Sequence, residues 1–165
     1  MKNLSYILKT ALPLLLICAI CAALLAAANY LTAPVIEKNA EMQKEEAIKN
    51  LLPDTDSYKE VDCNKDSVNA LFEVKLSDGS VFYCVDVTAK SKYGGDVNMM
   101  VSVSREGDVA DVQLINHSET FIDRYLDEDN KFTKIDCQSG ATYSFNAIKD
   151  GMKIAQDAVK ALLGL

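Results

Sequence analysis

From Ala11 to Ala28, eighteen consecutive residues carry no charge, and Leu31 and Ala33 extend the apolar character. At 1.5 Å of rise per residue, about 20 such residues cross the hydrocarbon core of a bilayer. The pattern predicts a membrane-spanning anchor over residues 1–33, with Pro13 accommodated in its first turn or as a kink. At Pro34 the pattern changes to an amphipathic one. Val35, Ile36, Ala40, Ala47, Ile48, Leu51 and Leu52 fall near one helical face, with Glu37, Lys38, Lys44, Glu45 and Glu46 elsewhere. This predicts a helical connector, residues 34–56, whose helix stops at Pro53-Asp54.

Short alternating segments follow. Ala70 to Leu76 and Val81 to Thr88 flank Ser77-Asp78-Gly79-Ser80, a hairpin pattern, and Asp96 to Ser104 and Val109 to Ile115 flank Arg105-Glu106-Gly107-Asp108, a second one. Together they predict a four-stranded, largely antiparallel sheet with one covered face. In the last stretch Ile148, Met152, Ala155, Val159 and Leu162 recur at spacings of four and three, which predicts a helix from Tyr143 to Leu163 ended by Gly164. The expected fold class is α+β: a single N-terminal transmembrane helix, then a small domain, residues 57–165, with a mostly antiparallel sheet packed by helices.

Charge adds topology and excludes partners. Lys2 and Lys9 precede the apolar run and Glu37 is the first charge after it, so the positive-inside bias expects a cytoplasmic N-terminus and a domain across the membrane. Ala26-Ala27-Ala28 resembles the processing site of a cleaved leader, and the expectation here is a retained anchor. The net charge is −7, or −9 without Lys2 and Lys9. A domain that acidic repels nucleic acid and anionic headgroups. Five scattered cysteines make no disulfide scaffold, and Cys18-x-x-Cys21 inside the apolar run reads as lipid-compatible thiols. With His117 the sole histidine, no His-rich metal site is expected.

Candidate chemistry concentrates before the last helix, in Asp136-Cys137-Gln138-Ser139-Gly140-Ala141-Thr142-Tyr143-Ser144. Gly140 permits close backbone approach, and small Ser139 and Ala141 leave room beside it. A helix starting here points unpaired N–H groups and its positive dipole end at the loop, a site for phosphate. The hydroxyl of Thr142 would then hold a phosphate noncovalently or be esterified by one. Plain helix capping is the competing reading for any one Ser or Thr at this place.

Asp-x-x-Ser-Gly-Ala-Thr is similar to the recognition sequence of the FMN-binding domain family, in which a flavin transferase attaches FMN to the threonine through a phosphoester. Leu31-Thr32-Ala33-Pro34 resembles the family's membrane exit, Tyr93-Gly94-Gly95 its glycine loop and Asn116-His117-Ser118-Glu119-Thr120 its His-x-Glu-Thr segment, all in family order. The resemblance implies covalent FMN on Thr142 and transferase recognition at Asp136. It also implies cofactor contacts from Ser139, Gly140, Ala141, Tyr143, His117, Glu119, Thr120, Tyr93 and Gly94. Such domains form the G subunit of Rnf-type ferredoxin:NAD oxidoreductase complexes and the C subunit of sodium-pumping NADH:quinone reductases. The short chain fits the former better. The resemblance therefore implies an electron-transfer subunit in a complex that moves sodium or protons, partnered by membrane and iron–sulfur subunits. An anchored binding module without cofactor and an independent enzyme with reversible FMN are the rivals from other classes. One departure stands out: where the family continues with Pro-Gly and further glycine, this chain has Phe121-Ile122-Asp123-Arg124.

Overall fold

The computed structural model describes residues 2–63, 65–92, 95–118, 121–128, 131–132 and 140–165, with side chains from residue 11 onward. Two compact units emerge, Met1–Met42 and Gln43–Leu165.

The first unit lies within helix α1, Lys2–Leu51, which runs through Pro13 and Pro34. Its Ala11–Leu51 portion is long and apolar enough to cross a membrane. Leu15, Leu25 and Leu31 are 68%, 71% and 71% exposed. A row of large side chains so bare is costly in water and at home among lipid tails. Where the chain leaves this run, the Thr32 hydroxyl donates to the Ala28 carbonyl at 3.0 Å, one turn back.

The second unit is a five-stranded antiparallel meander in the order β1 (Thr55–Val61), β2 (Val68–Leu76), β3 (Val81–Lys90), β4 (Asp96–Ser104) and β5 (Val109–His117). Both expected hairpins form, with Gly79 and Gly107 in their turns. The sheet differs from the expected one in two respects. It has a fifth strand, β1, and both of its faces are covered. Strand β1 escapes the period-two pattern because it is an edge whose middle residues are all exposed. Its backbone pairs with β2, and its charged side chains Asp56, Lys59 and Glu60 discourage pairing with other chains.

On one face, helix α2 (Thr142–Leu163) buries Ile148, Ala155 and Val159 against Leu71, Val85, Val87, Met99 and Val101. Leu162, expected in this stripe, is 41% exposed, and Ala158 is buried instead. The helix packs tightly at Gly151, where an added Cβ would lie 2.6 Å from Met99 Sδ. On the other face, Ala47, Ile48 and Leu51 of α1, with Leu52 just beyond it, cover Ala70, Phe72, Val74, Cys84 and Met100. Inward residues thus alternate between two cores, which is why β3 and β4 read as nearly continuous apolar runs.

A polar contact pins the second layer. Lys44 Nζ stands 3.1 Å from Asp86 Oδ2, while Asn69 and Asn98 donate to Oδ1 at 3.0 and 2.7 Å. Asp86 is 1% exposed, so these partners take the place of water around its carboxyl oxygens. We predict that Lys44→Met lowers stability by about 2 kcal/mol, and an unchanged urea midpoint would refute this.

Cys84 is fully buried in the same layer, and burial pushes its thiol up to about 12. With Cys84 as the lone cysteine, the native protein should alkylate at pH 8 about a thousandfold more slowly than the urea-unfolded chain. Equal rates by mass spectrometry would contradict this burial.

Candidate functional site

Helix α2 starts where the chemistry is expected. Ala141 is its N-cap and makes no side-chain capping bond, so Thr142 is the first helical residue and its hydroxyl is not the cap. Thr142 is exposed, Ala141 is buried and Tyr143 half-buried. The first turn carries no acidic residue, so no carboxylate in it offsets the positive end of the helix. Gly140 precedes it with φ +84°, a left-handed conformation, and a Cβ there would meet nothing within 4 Å among the described residues. Glycine is favoured there by the backbone angle.

The loop rests on an aromatic base. Tyr125, fully buried, donates its hydroxyl to the Ala141 carbonyl at 3.3 Å. Its ring centroid lies 5.4 Å from that of Phe145 and 6.3 Å from that of Phe132. Tyr125 belongs to a 3₁₀ turn, Ile122–Tyr125, formed by the very stretch that departs from the family pattern. Ile122 is fully buried too, whereas Phe121 is 45% exposed with the Arg124 guanidinium 4.9 Å from its ring centroid. The glycine-poor segment thus has a compact turn of its own that supports the loop from below.

The sheet brings other segments to this end. Helix α2 lies along the sheet with Tyr143 near Lys92, after β3, and Gln156 bonded to the Gly107 carbonyl, after β4. Its N-terminus therefore shares an end of the sheet with the β3–β4 turn. Lys92 Nζ is 5.4 Å from the Tyr143 ring centroid. Lys90, Lys92, Tyr143, Asn146, Ala147 and Asp150 line a depression of about 340 Å³. The Ser91 amide donates to the Gly95 carbonyl at 2.8 Å, and its hydroxyl is buried without a partner among the described residues. His117, at the end of β5, pairs with Val97 across the sheet, and its Nε2 lies 3.3 Å from Asp123 Oδ1. Beside it Ser118 and Asp96 exchange hydrogen bonds, the Ser118 amide to the Asp96 carbonyl at 3.2 Å and the Asp96 amide to the Ser118 hydroxyl at 3.1 Å.

Of the expected site residues, Gly140, Ala141, Thr142 and Tyr143 form one continuous loop-to-helix junction, and His117 lies at the same sheet end. Tyr93, Gly94, Glu119, Thr120, Asp136 and Ser139 fall outside the described residues. Sequence reasoning passes over Lys90, Lys92, Asn146, Asp150 and Tyr125. Asn146 and Asp150 follow Thr142 at four and eight residues, so helical spacing already places them on its face. Tyr125 carries no such signal, since its partner Phe145 is twenty positions away.

The donor set suits an anion. The N-terminal end of α2, the left-handed Gly140, the Ser91 hydroxyl, unpartnered among the described residues, and two nearby lysines fit a phosphate-bearing cofactor such as FMN. Among the described residues no cluster of three metal-ligating side chains occurs.

Residues 92–157 match the FMN-binding domain family, a stretch that runs from Lys92 through Thr142, and residues 1–51 match the RnfG N-terminal region. The G subunit of the proton-translocating ferredoxin:NAD(+) oxidoreductase complex of Clostridium ljungdahlii is 26% identical over 168 residues, covering 89% of this chain and 88% of its own. In domain order, a stretch similar to the RnfG N-terminal region is followed by one similar to FMN-binding domains.

Proposed function

We propose that the chain is an electron-transfer subunit that carries FMN esterified to Thr142, within a membrane-bound Rnf-type complex coupling ferredoxin:NAD electron transfer to proton or sodium transport. The observation that carries this reading is Thr142 itself: an exposed hydroxyl on the first residue of a helix without a side-chain cap, behind a left-handed glycine. A threonine serving only as a cap would stand one residue earlier and bond back to the helix.

Each group has a physical task. The helix N–H groups of α2 and the Lys92 ammonium stabilise phosphate charge. Gly140 and Ala141 let the backbone come close, and Tyr143 walls the site under Lys92. His117, held by Asp123, with Glu119, Thr120, Tyr93 and Gly94, would contact the ribityl chain or ring. Asp136 and Ser139 belong to the segment read by the flavin transferase. When bound, FMN supplies the redox chemistry, and the protein orients it and tunes its potential. No nucleophile, base and orienting group are grouped among the described residues, so electrons enter and leave through other subunits, among them iron–sulfur ones.

The anchor (residues 1–33) and the connector (residues 34–56) keep the carrier at the membrane. Lys2 and Lys9 orient it with the N-terminus cytoplasmic and residues 57–165 outside. A carrier facing that way cannot readily recapture lost FMN, which gives a covalent bond its use. The test is a denaturing gel viewed under ultraviolet light after co-expression with a flavin transferase. A fluorescent band that persists through denaturation supports the reading. A dark band, with the transferase active on a control protein, overturns it.

A further inference from the structure

We propose that the groove between the start of β5, Phe132 and the middle of α2 is the docking surface for a redox partner subunit, which inserts an apolar side chain flanked by carboxylates. This rests on the electron-transfer reading above and goes beyond it by naming the face and the chemistry of the partner.

The groove encloses about 430 Å³. Its floor is apolar: Val109, Phe132, Phe145 and Met152. Its rim carries Lys149 and Lys153, both exposed. Among the described residues neither lysine reaches a carboxylate at ion-pair distance, and Lys149 Nζ instead sits 5.6 Å from the Phe145 ring centroid. Two like charges four residues apart on one helix repel each other. In a protein of net charge −7, partners for them would be easy to supply within the fold. Unpaired at ion-pair distance among the described residues and set beside an apolar floor, they are complementary to an acidic, apolar visitor.

Location strengthens the assignment. Lys149 follows Thr142 by seven residues, about two turns or about 10 Å along the helix. Phe132 and Phe145 in the floor also belong to the Tyr125 cluster beneath residues 140–142. The groove thus begins at Phe145, within one turn of the cofactor's attachment point, and leads away from it along α2. A lipid surface is a poorer occupant, because the surrounding acidic domain is repelled by anionic headgroups. A second copy brings the same excess of negative charge.

The experiment uses the full chain in membranes with the other subunits of its complex. A photo-crosslinking benzophenone residue replaces Met152, and a control carries it at Lys59 on the β1 edge. Cross-linked peptides are identified by mass spectrometry, and flavin fluorescence of the same band is recorded. The expected result is a cross-link from position 152, absent from position 59, to an apolar residue next to Asp or Glu in another redox subunit. Adding Lys149→Glu and Lys153→Glu should lower its yield at least tenfold while flavin fluorescence per chain stays constant. Cross-links to this chain, to a second copy, to lipid or to the transferase alone overturn the proposal, as does no cross-link at all. A yield indifferent to Lys149→Gln with Lys153→Gln and to the double reversal also overturns it. A dark band that still gives the expected cross-link refutes the flavin reading and leaves the docking face standing. A fluorescent band without it does the reverse.

Discussion

Thr142→Ala is expected to abolish covalent flavin completely while leaving the protein folded. The side chain is exposed, and the N-cap position belongs to Ala141. Removing a methyl and hydroxyl there should change stability by about 0.5 kcal/mol or less, since alanine favours helix more than threonine does. Loss of fluorescence in the denaturing gel would then report missing chemistry and not a missing fold. Circular dichroism of the same preparation, melting within a few degrees of the parent, makes that distinction. A variant that keeps the fluorescent band puts the ester on another residue. A variant that loses both band and fold would mean that Thr142 supports the helix in a way its exposure does not suggest.

Tyr125→Ala should produce the largest loss of stability among single changes near the site. Its ring is fully buried in a cluster with Phe132 and Phe145, and its hydroxyl bonds to the Ala141 carbonyl. Truncating a buried aromatic costs about 3–5 kcal/mol, a large part of the roughly 5–15 kcal/mol that a domain has. Two effects separate here. Tyr125→Phe keeps the packing and loses one hydrogen bond, about 1 kcal/mol, so it should fold and show how far that bond sets the loop. Tyr125→Ala should lower the urea midpoint sharply and reduce flavin loading even where the chain remains folded, because residues 140–142 lose their support. Equal midpoints for Tyr125→Ala and the parent would show that the loop does not rest on this ring.

The glycine-poor stretch from Phe121 to Arg124 illustrates what a family pattern leaves out. Against that pattern it is a departure that leaves the loop without its usual glycines. In the fold, Ile122 and Tyr125 are both fully buried, Tyr125 bonds to the Ala141 carbonyl, and the turn closes by local bonds such as the Arg124 amide to the Phe121 carbonyl at 3.4 Å. Glycines are one way to shape a loop, and a 3₁₀ turn nailed down by two buried side chains is another.

Features that depend on near neighbours along the chain were legible without a fold. Eighteen uncharged residues specify a membrane-compatible helix, Ser77–Ser80 and Arg105–Asp108 specify two hairpins, and the spacing from Ile148 to Val159 specifies the buried stripe of α2. Ser-Gly-Ala-Thr before a helix marks the candidate phosphate site because both the left-handed glycine and the helix start are local events. Tertiary structure decided the rest. Strand β1 exists because β2 offers its backbone bonds, and nothing in its own polar side chains announces it. The second covered face exists because α1 ends on the sheet and Lys44 finds Asp86 forty-two positions away. Lys92 over Tyr143, and Tyr125 under Ala141, likewise join residues far apart in sequence. Such contacts follow from how the layers stack, and a periodicity read over one turn or one strand carries no information about them.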